Sequence, residues 1–475
     1  MTTHRPSAFA ENVPGALADD QLQQALGNIK QGFVAKRARA AGDLPEFEAL
    51  RDHARDIKDH TLNHLDAYLE RYESRVHAQG GQVHWCPTGE DARRAVVDIC
   101  TRVGAERCTK GKSMVAEEIG LGDALSAAGV TPVETDLGEY ILQLRGEPPS
   151  HIIAPAIHLN RDQIAEDFRR AHLTLPPQRA LDTARALVDE ARGTLREHYL
   201  AADVGITGAN LLVAETGQSV IVTNEGNGDL TQNLPRVHIV VASLEKVVPT
   251  LEDASTILRV LARSATGQEV TVYTTFSAGP RRPDDPDGPE EFHVVLLDNG
   301  RTGMLGTEFQ EMLRCIKCGA CMNHCPVYTA VGGHAYGATY VGPMGAVLTP
   351  ALQGVEEAGH LPNASTFCGR CEAVCPVRIP LPGLMRRWRE REFERHLTPL
   401  PVRSGLRVWA FAALRPRLYR LAMRAPLRVL GWLGRRRGRF GWLPLASGWT
   451  NHRELPAPAG RSFMDRWRAE GRDDT

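Results

Sequence analysis

Seven of the ten cysteines fall into two short runs. The first reads Cys315-Ile-Lys-Cys318-Gly-Ala-Cys321-Met-Asn-His-Cys325-Pro326, and the second Cys368-Gly-Arg-Cys371-Glu-Ala-Val-Cys375-Pro376. Three cysteines spaced by two let one short loop wrap three irons of a cubane, while the fourth, just before a proline, points to the other cluster. Cross-ligation of this kind puts Cys315, Cys318, Cys321 and Cys375 on one centre and Cys325, Cys368 and Cys371 on the other. The second centre is one cysteine short. Three positions before Cys368 stands Ser365, where a complete run would carry its first cysteine. Three thiolates leave a [3Fe–4S] cluster, or a [4Fe–4S] cluster with Ser365 or water on the fourth iron, and the reading favours [4Fe–4S] for both. A structural zinc site takes four ligands from two pairs, which seven cysteines with two Cys-Pro endings exceed.

Other residues carry weaker signals. Cys86, Cys100 and Cys108 have no ligand spacing and read as small buried hydrophobes. His324 and His334 lie near the runs, with hydrogen bonding as their expected role. Lys317 and Arg370 sit inside the cysteine loops, where positive charge would raise reduction potentials if it is not simply exposed. Glu225 and Asn227 follow the stretch from Gly205 to Thr223 in a glycine-rich turn: either a ligand-binding lip of an α/β sheet or a hairpin whose turns need glycine. Lys110, Lys112, Glu117 and Glu118 read first as a charged helix start and second as ligand contacts. His158 carries a similar weak signal, and Asn160 reads as a helix cap. Neither a G-x-G-x-x-G fingerprint nor a G-x-x-x-x-G-K-[ST] loop follows a strand, so nothing predicts bound NAD, FAD or nucleoside triphosphate.

The elements that must position these residues follow from periodicity. Phe47, Leu50, Ala54, Ile57, Leu65, Tyr68, Tyr72 and Val76 recur at helical spacing and predict one long helix ending near Gly80. From 82 to 299 short β-branched runs alternate with helical stretches. Strands are expected at 82–86, 150–154, 211–214, 219–223, 237–242, 269–276 and 292–297, with helices at 90–103, 162–171 and 251–264. That alternation implies an α/β domain with a largely parallel sheet. Residues 279–291 read as a loop, and a helix over 304–314 leads into the cysteines. The expected organisation is an N-terminal helical segment (1–80), an α/β domain (81–300), an iron–sulfur domain (301–385) and an Arg/Trp-rich region (386–475).

At 475 residues, 42% hydrophobic and with a net charge of −1, the chain has the makeup of a globular protein and not of a basic nucleic-acid binder. The first twenty residues lack an apolar signal core, and no later run is long enough to span a membrane. The expected compartment is the cytoplasm, with contact at the inner membrane face as an option. Lysine is absent after Lys317, whereas arginine and six of the seven tryptophans crowd the tail. Pro416 and Pro426 are expected to break that tail into short helices. Its arginines and tryptophans read first as a docking surface, then as internal packing, then as membrane contact, and last as nucleic-acid contact.

The segments KSMVAEEIGL, GITGANLLVAETG, NEGNGDLTQNLPRVHIVV, EEFHVVLLDNGR, GGHAYG, PMGAVLTP and both cysteine runs resemble the lactate-utilization iron–sulfur proteins of the LutB family. The resemblance runs nearly the full length. It implies an α/β LUD domain similar to the NagB/RpiA and CoA-transferase folds, a mainly helical dicluster ferredoxin domain, and an irregular helical C-terminal region. It further implies a non-catalytic electron-transfer subunit of a system that oxidises L-lactate to pyruvate. The partners would be a cysteine-rich-domain protein and a second LUD protein. The alternatives are the iron–sulfur subunit of another 2-hydroxy-acid or glycerol-phosphate oxidase, or a LUD-domain transferase or isomerase with redox-sensing clusters.

Overall fold

The computed structural model of the chain describes residues 9–444, 446–450 and 453–470. The chain divides into two units, Met1–Glu392 and Phe393–Thr475. The first unit carries ten strands: β1 (Gln82–Cys86), β2 (Arg107–Lys110), β3 (Thr131–Glu134), β4 (Val204–Thr207), β5 (Leu211–Val213), β6 (Gln218–Thr223), β7 (Val237–Ser243), β8 (Val247–Val248), β9 (Tyr273–Ser277) and β10 (Glu291–Leu297). Six of them form a sheet in the order β1-β10-β7-β4-β2-β3, every pair parallel. All seven residues of β7 are buried, as a strand covered on both faces requires. The other four form a second sheet, β8-β5-β6-β9, around the antiparallel β5–β6 hairpin. Gly217 closes that hairpin at φ +72°, and a Cβ there would meet the Arg75 backbone at 2.8 Å, so both conformation and space demand glycine.

Several expectations need correction. The long helix is two, Phe47–Asn63 and Leu65–Ala78, broken at His64, whose ring turns back 2.9 Å from the His60 carbonyl. Residues 150–154 are a turn, because the His151 ring accepts the Ile153 and Ala154 amides that a strand ladder would need. β2, β3 and β4 are strands the pattern did not reveal. The helix expected over 304–314 is two 3₁₀ turns, Thr302–Met304 and Gln310–Arg314. Between them the Thr307 hydroxyl donates to the Met304 carbonyl, and Gln310 accepts the Gly306 amide.

Beyond the sheets, the cysteine region is built of short helical pieces around the longer helices Gly342–Gln353 and Leu381–Glu394. One hydrophobic core runs through both regions, joining Val213, Val220 and Ile257 to Met344, Leu361 and Trp388. The second unit holds the helices Leu400–Ala413 and Pro416–Gly434. Pro416 starts the latter, where its missing N–H costs nothing, and the helix continues through Pro426 instead of breaking there. Among the described residues, no helix is long and apolar enough to cross a membrane.

Candidate iron–sulfur centres and the adjoining cavity

The two cysteine runs fold alike. Each follows a 3₁₀ turn, Gln310–Arg314 or Leu361–Ala364, and each ends in a one-turn helix, Ala320–Asn323 or Arg370–Ala373. Between these lie matching backbone twists. Lys317 and Phe367 both take positive φ, +56° and +52°, followed by Gly319 at +73° and Gly369 at +77°. In this correspondence Ser365 (φ −72°, ψ 136°) matches Cys315 (φ −61°, ψ 117°). The Ser365 hydroxyl accepts the Phe367 amide at 3.1 Å, just as the Cys315 thiol receives the Lys317 amide.

The thiols form two neighbourhoods. Cys318 feels Cys375 and Cys315, and Cys321 feels all three. Cys371 feels Cys325 and Cys368. Cys321 also feels Cys371, so the two neighbourhoods adjoin. Burial lifts Cys318 and Cys371 to about 12 and Cys375 to about 11, so these thiols stay protonated until a metal displaces the proton. Cys368 is exposed and lies below the ordinary thiol value: desolvation raises it, but the Arg370 amide, the Thr366 hydroxyl and the Arg370 charge together outweigh that. Amides also point at the sulfurs elsewhere, Ala320 at Cys318, Val327 and Tyr328 at Cys325, Glu372 at Cys371 and Ile379 at Cys375 (3.4 Å). Converging thiols ringed by amide donors suit iron–sulfur clusters, whose sulfurs accept such bonds.

The surrounding elements hold these loops rigidly. From the helix Phe47–Asn63, buried Arg51 donates to the Cys375 carbonyl at 2.7 and 3.1 Å and to the Ala373 carbonyl at 2.7 Å. Arg37 donates to the Val374 carbonyl at 2.8 Å. His151 pairs with Asn323 at 2.9 Å, and the Tyr328 hydroxyl donates to the Ser150 carbonyl at 2.8 Å. Arg301 bridges Glu118 (2.5 Å) and Glu245 (3.1 Å), and Tyr340 donates to Glu118 at 2.5 Å. Lys317 is no exposed loop charge. It is 8 % exposed, donates to Tyr340 at 3.0 Å and lies 3.8 Å from Glu245.

The remaining candidates separate. Lys112, Glu225 and Asn227 meet around one cavity, into which Lys317 and Lys246 also face. The hairpin reading holds for β5–β6, and the glycine-rich turn beyond it lines a cavity. Lys110 ends β2, not a helix start, and is buried among Glu117, Glu134 and Glu139. Glu118 belongs to the Arg301 pair. Asn160 caps the helix Arg161–Ala171 in a reciprocal box with Gln163. His158 pairs with Glu147 at 3.0 Å and meets the His334 ring edge-on, and His334 itself meets the Pro148 carbonyl. Among the described residues the His324 ring hydrogen-bonds the Ala320 carbonyl alone. Arg370 is exposed, and Cys86, Cys100 and Cys108 are buried. For Lys246 the available sequence signal was the Glu245-Lys246 pair two positions past the mostly apolar strand β7.

The LUD domain family matches residues 69–297, the 4Fe-4S dicluster domain residues 311–379, and the lactate utilisation protein B C-terminal family residues 402–472. "Lactate utilization protein B" of Shouchella clausii is 42% identical over 471 residues, covering 98% of this chain and 97% of that one. The protein of the same name from Bacillus licheniformis is 41% identical over 460 residues, 96% of this chain and 95% of that one. "Uncharacterized electron transport protein YkgF" of Escherichia coli is 42% identical over 458 residues, 96% of this chain and 95% of that one. A solved DUF162 family protein from Deinococcus radiodurans overlaps 49% of this chain and 98% of its own, at 13% identity and a TM-score of 0.27. On full-length likeness at this identity, with all three domain families in order, the chain belongs to the lactate utilization protein B family.

Proposed function

We propose that the protein is the iron–sulfur electron carrier of a multi-component system that oxidises L-lactate to pyruvate. The observation that carries this reading is the pair of adjoining thiol neighbourhoods, one buried and one reaching the surface at Cys368. Cys315, Cys318, Cys321 and Cys375 hold the inner centre. Cys325, Cys368 and Cys371 hold the outer one, with Ser365 as its fourth ligand. Two [4Fe–4S] clusters would take the two electrons of lactate oxidation singly. The protein's own part is to bury the inner centre behind Arg51 and the Arg301–Glu118 network. It also keeps the outer centre near solvent, within reach of a partner. The sheet domain is read as NagB/RpiA-like and the cysteine region as a helical ferredoxin.

The test is anaerobic co-purification with the neighbouring lactate-utilization subunits, followed by lactate addition. The expected result is reduction of both centres with lactate only when the partners are present. Reduction by lactate of the isolated protein, or none in the assembled system, would overturn the reading. The tail supports partner docking: thirteen arginines and no carboxylate lie between Glu394 and Glu454. Within that unit Trp409, Leu414 and Trp432 are exposed. An acidic surface on a partner subunit suits this charge.

A further inference from the structure

In the parallel sheet the chain leaves β2 toward one edge, through β3, and leaves β4 toward the other, through β7. The carboxyl ends of β2 and β4 therefore face a crevice, the place where open α/β sheets take ligands. A cavity of about 250 Å³ lies there. Lys112 follows β2, Asn227 opens the helix after β6, Lys246 follows β7, and Lys317 comes from the first cysteine run. Much of the remaining wall is apolar, with Ile152, Ile221 and Leu261.

The polar groups on this wall do not balance. Lys112 donates to the Ile153 carbonyl at 2.7 Å, and Lys317 is held by Tyr340 and Glu245. The two carboxylates are occupied, Asp136 by the Gly138 and Glu139 amides and Glu225 by the Leu137 amide. Lys246, only 6 % exposed, makes no hydrogen bond or ion pair among the described residues. Its neighbour Glu245 is held by Arg301 and Ser243. The Asn227 side chain, 7 % exposed, is equally without a hydrogen bond. Glu245, the nearest carboxylate to Lys246, is already shared with Arg301 and Lys317, so Lys246 and Asn227 both line the cavity with donors to spare. Negative charge on the nearby iron–sulfur centre would answer Lys246. It would answer neither the neutral Asn227 amide nor the open volume between them.

We propose that this cavity binds a small organic carboxylate, its head on Lys246 and Asn227 and its hydrocarbon part against Ile152, Ile221 and Leu261. One unpaired cation matches a monoanion, whereas a phosphate dianion would call for several free donors. Lys317 connects the bound ligand to the loop of the inner centre. The inference needs no particular electron source, so it stands apart from the lactate reading.

The test uses the anaerobically purified full-length protein with its iron. Pyruvate, hexanoate and inorganic phosphate are titrated separately at constant ionic strength, followed by the thermal denaturation midpoint and by EPR of the reduced protein. The expected result is a saturable rise in midpoint with a carboxylate but not with phosphate, and a changed EPR line shape at saturation. Lys246→Met and, separately, Asn227→Leu are each expected to weaken carboxylate binding at least tenfold with iron content unchanged. Asn227→Leu keeps the test decisive if Lys246→Met fails to fold. Absence of saturation with either carboxylate, tighter binding of phosphate, or unchanged carboxylate affinity in Asn227→Leu would each overturn the proposal. Loss of iron in Lys246→Met with carboxylate affinity intact would also overturn it, by assigning that lysine to the iron–sulfur centre alone.

Discussion

Ser365 occupies the place of Cys315 in a repeated backbone, down to the amide its side chain accepts. Ser365→Ala removes the oxygen and leaves the loop intact. It is expected to convert the outer centre toward a three-iron form, read as a stronger EPR signal in the oxidised protein and a lower iron count. Ser365→Cys, with all eight positions then thiol, is expected to retain four irons and to shift the outer centre's potential. An unchanged signal in both variants would remove Ser365 from the ligand set. A second residue-scale expectation concerns His238, whose ring meets the Thr207 hydroxyl at 2.8 Å inside the sheet. Burial pulls its pKa down to about 3, below the ordinary value near 6.5. The unfolded chain therefore binds the extra proton first. The stabilisation is full above pH 6.5 and is lost progressively as pH falls toward 3. Urea midpoints at pH 7.5 and 5.5 check this, with His238→Gln flattening the fall. At this scale the cysteines and Ser365 were legible because ligand spacing is a local property of the chain. Lys246 and the burial of Lys317 were not, because an unpaired charge is defined by what other segments fail to bring to it.

The joint between the sheets and the cysteine loops is a property of elements. The Gly333 amide donates to the Ser150 hydroxyl at 3.2 Å, and a Cβ on Gly333 would lie 1.8 Å from the Ser150 carbonyl oxygen. Gly333→Ala is expected to force these segments apart and to cost about 1–3 kcal/mol, as overpacking does. Its φ of ordinary sign leaves sterics as the cause, and denaturant unfolding beside a Gly300→Ala control in open space measures it. Gly300 lies at positive φ, so any cost there reports backbone strain alone. Arg51→Ala strips the donors from the Cys375 and Ala373 carbonyls. The expected outcome is lower stability, by about 1–3 kcal/mol, together with faster iron loss to a chelator. Long apolar strands such as β7 could be read from the sequence. β2 could not, because Arg107-Cys-Thr-Lys110 is short and half charged and becomes a strand through its neighbours β3 and β4. The turn at 150–154 was misread for a related reason. Its apolar, β-branched residues suit a strand, but the His151 ring captures the amides.

At the scale of the whole molecule, the single core through sheet and cysteine regions sets the response to iron removal. Calorimetry of the apoprotein is expected to show one transition for the first unit, lowered as a whole. Two separate transitions would show that the regions fold independently. Salt is expected to act on the tail, where thirteen arginines lie between Glu394 and Glu454 with no carboxylate among them, Arg424 and Arg439 pairing with Asp465 and Glu454. Raising ionic strength from low to 0.5 M should release the partner subunits if docking is there. The α/β class was evident from alternating strand and helix patterns. The fusion of its core with the cysteine region was not, since neither segment's periodicity reports what covers it. The placement of Cys375 beside Cys315 and Cys318 also bears on biosynthesis. The stretch joining the two runs takes roughly two to eight seconds to make at ~5–20 residues per second. Throughout that interval the nascent chain offers three of the four inner thiols. Iron delivered too early meets an open, three-sided site. The order of translation itself then sets the earliest moment of cofactor insertion, and the carrier that brings the iron must wait for the last thiol to leave the ribosome.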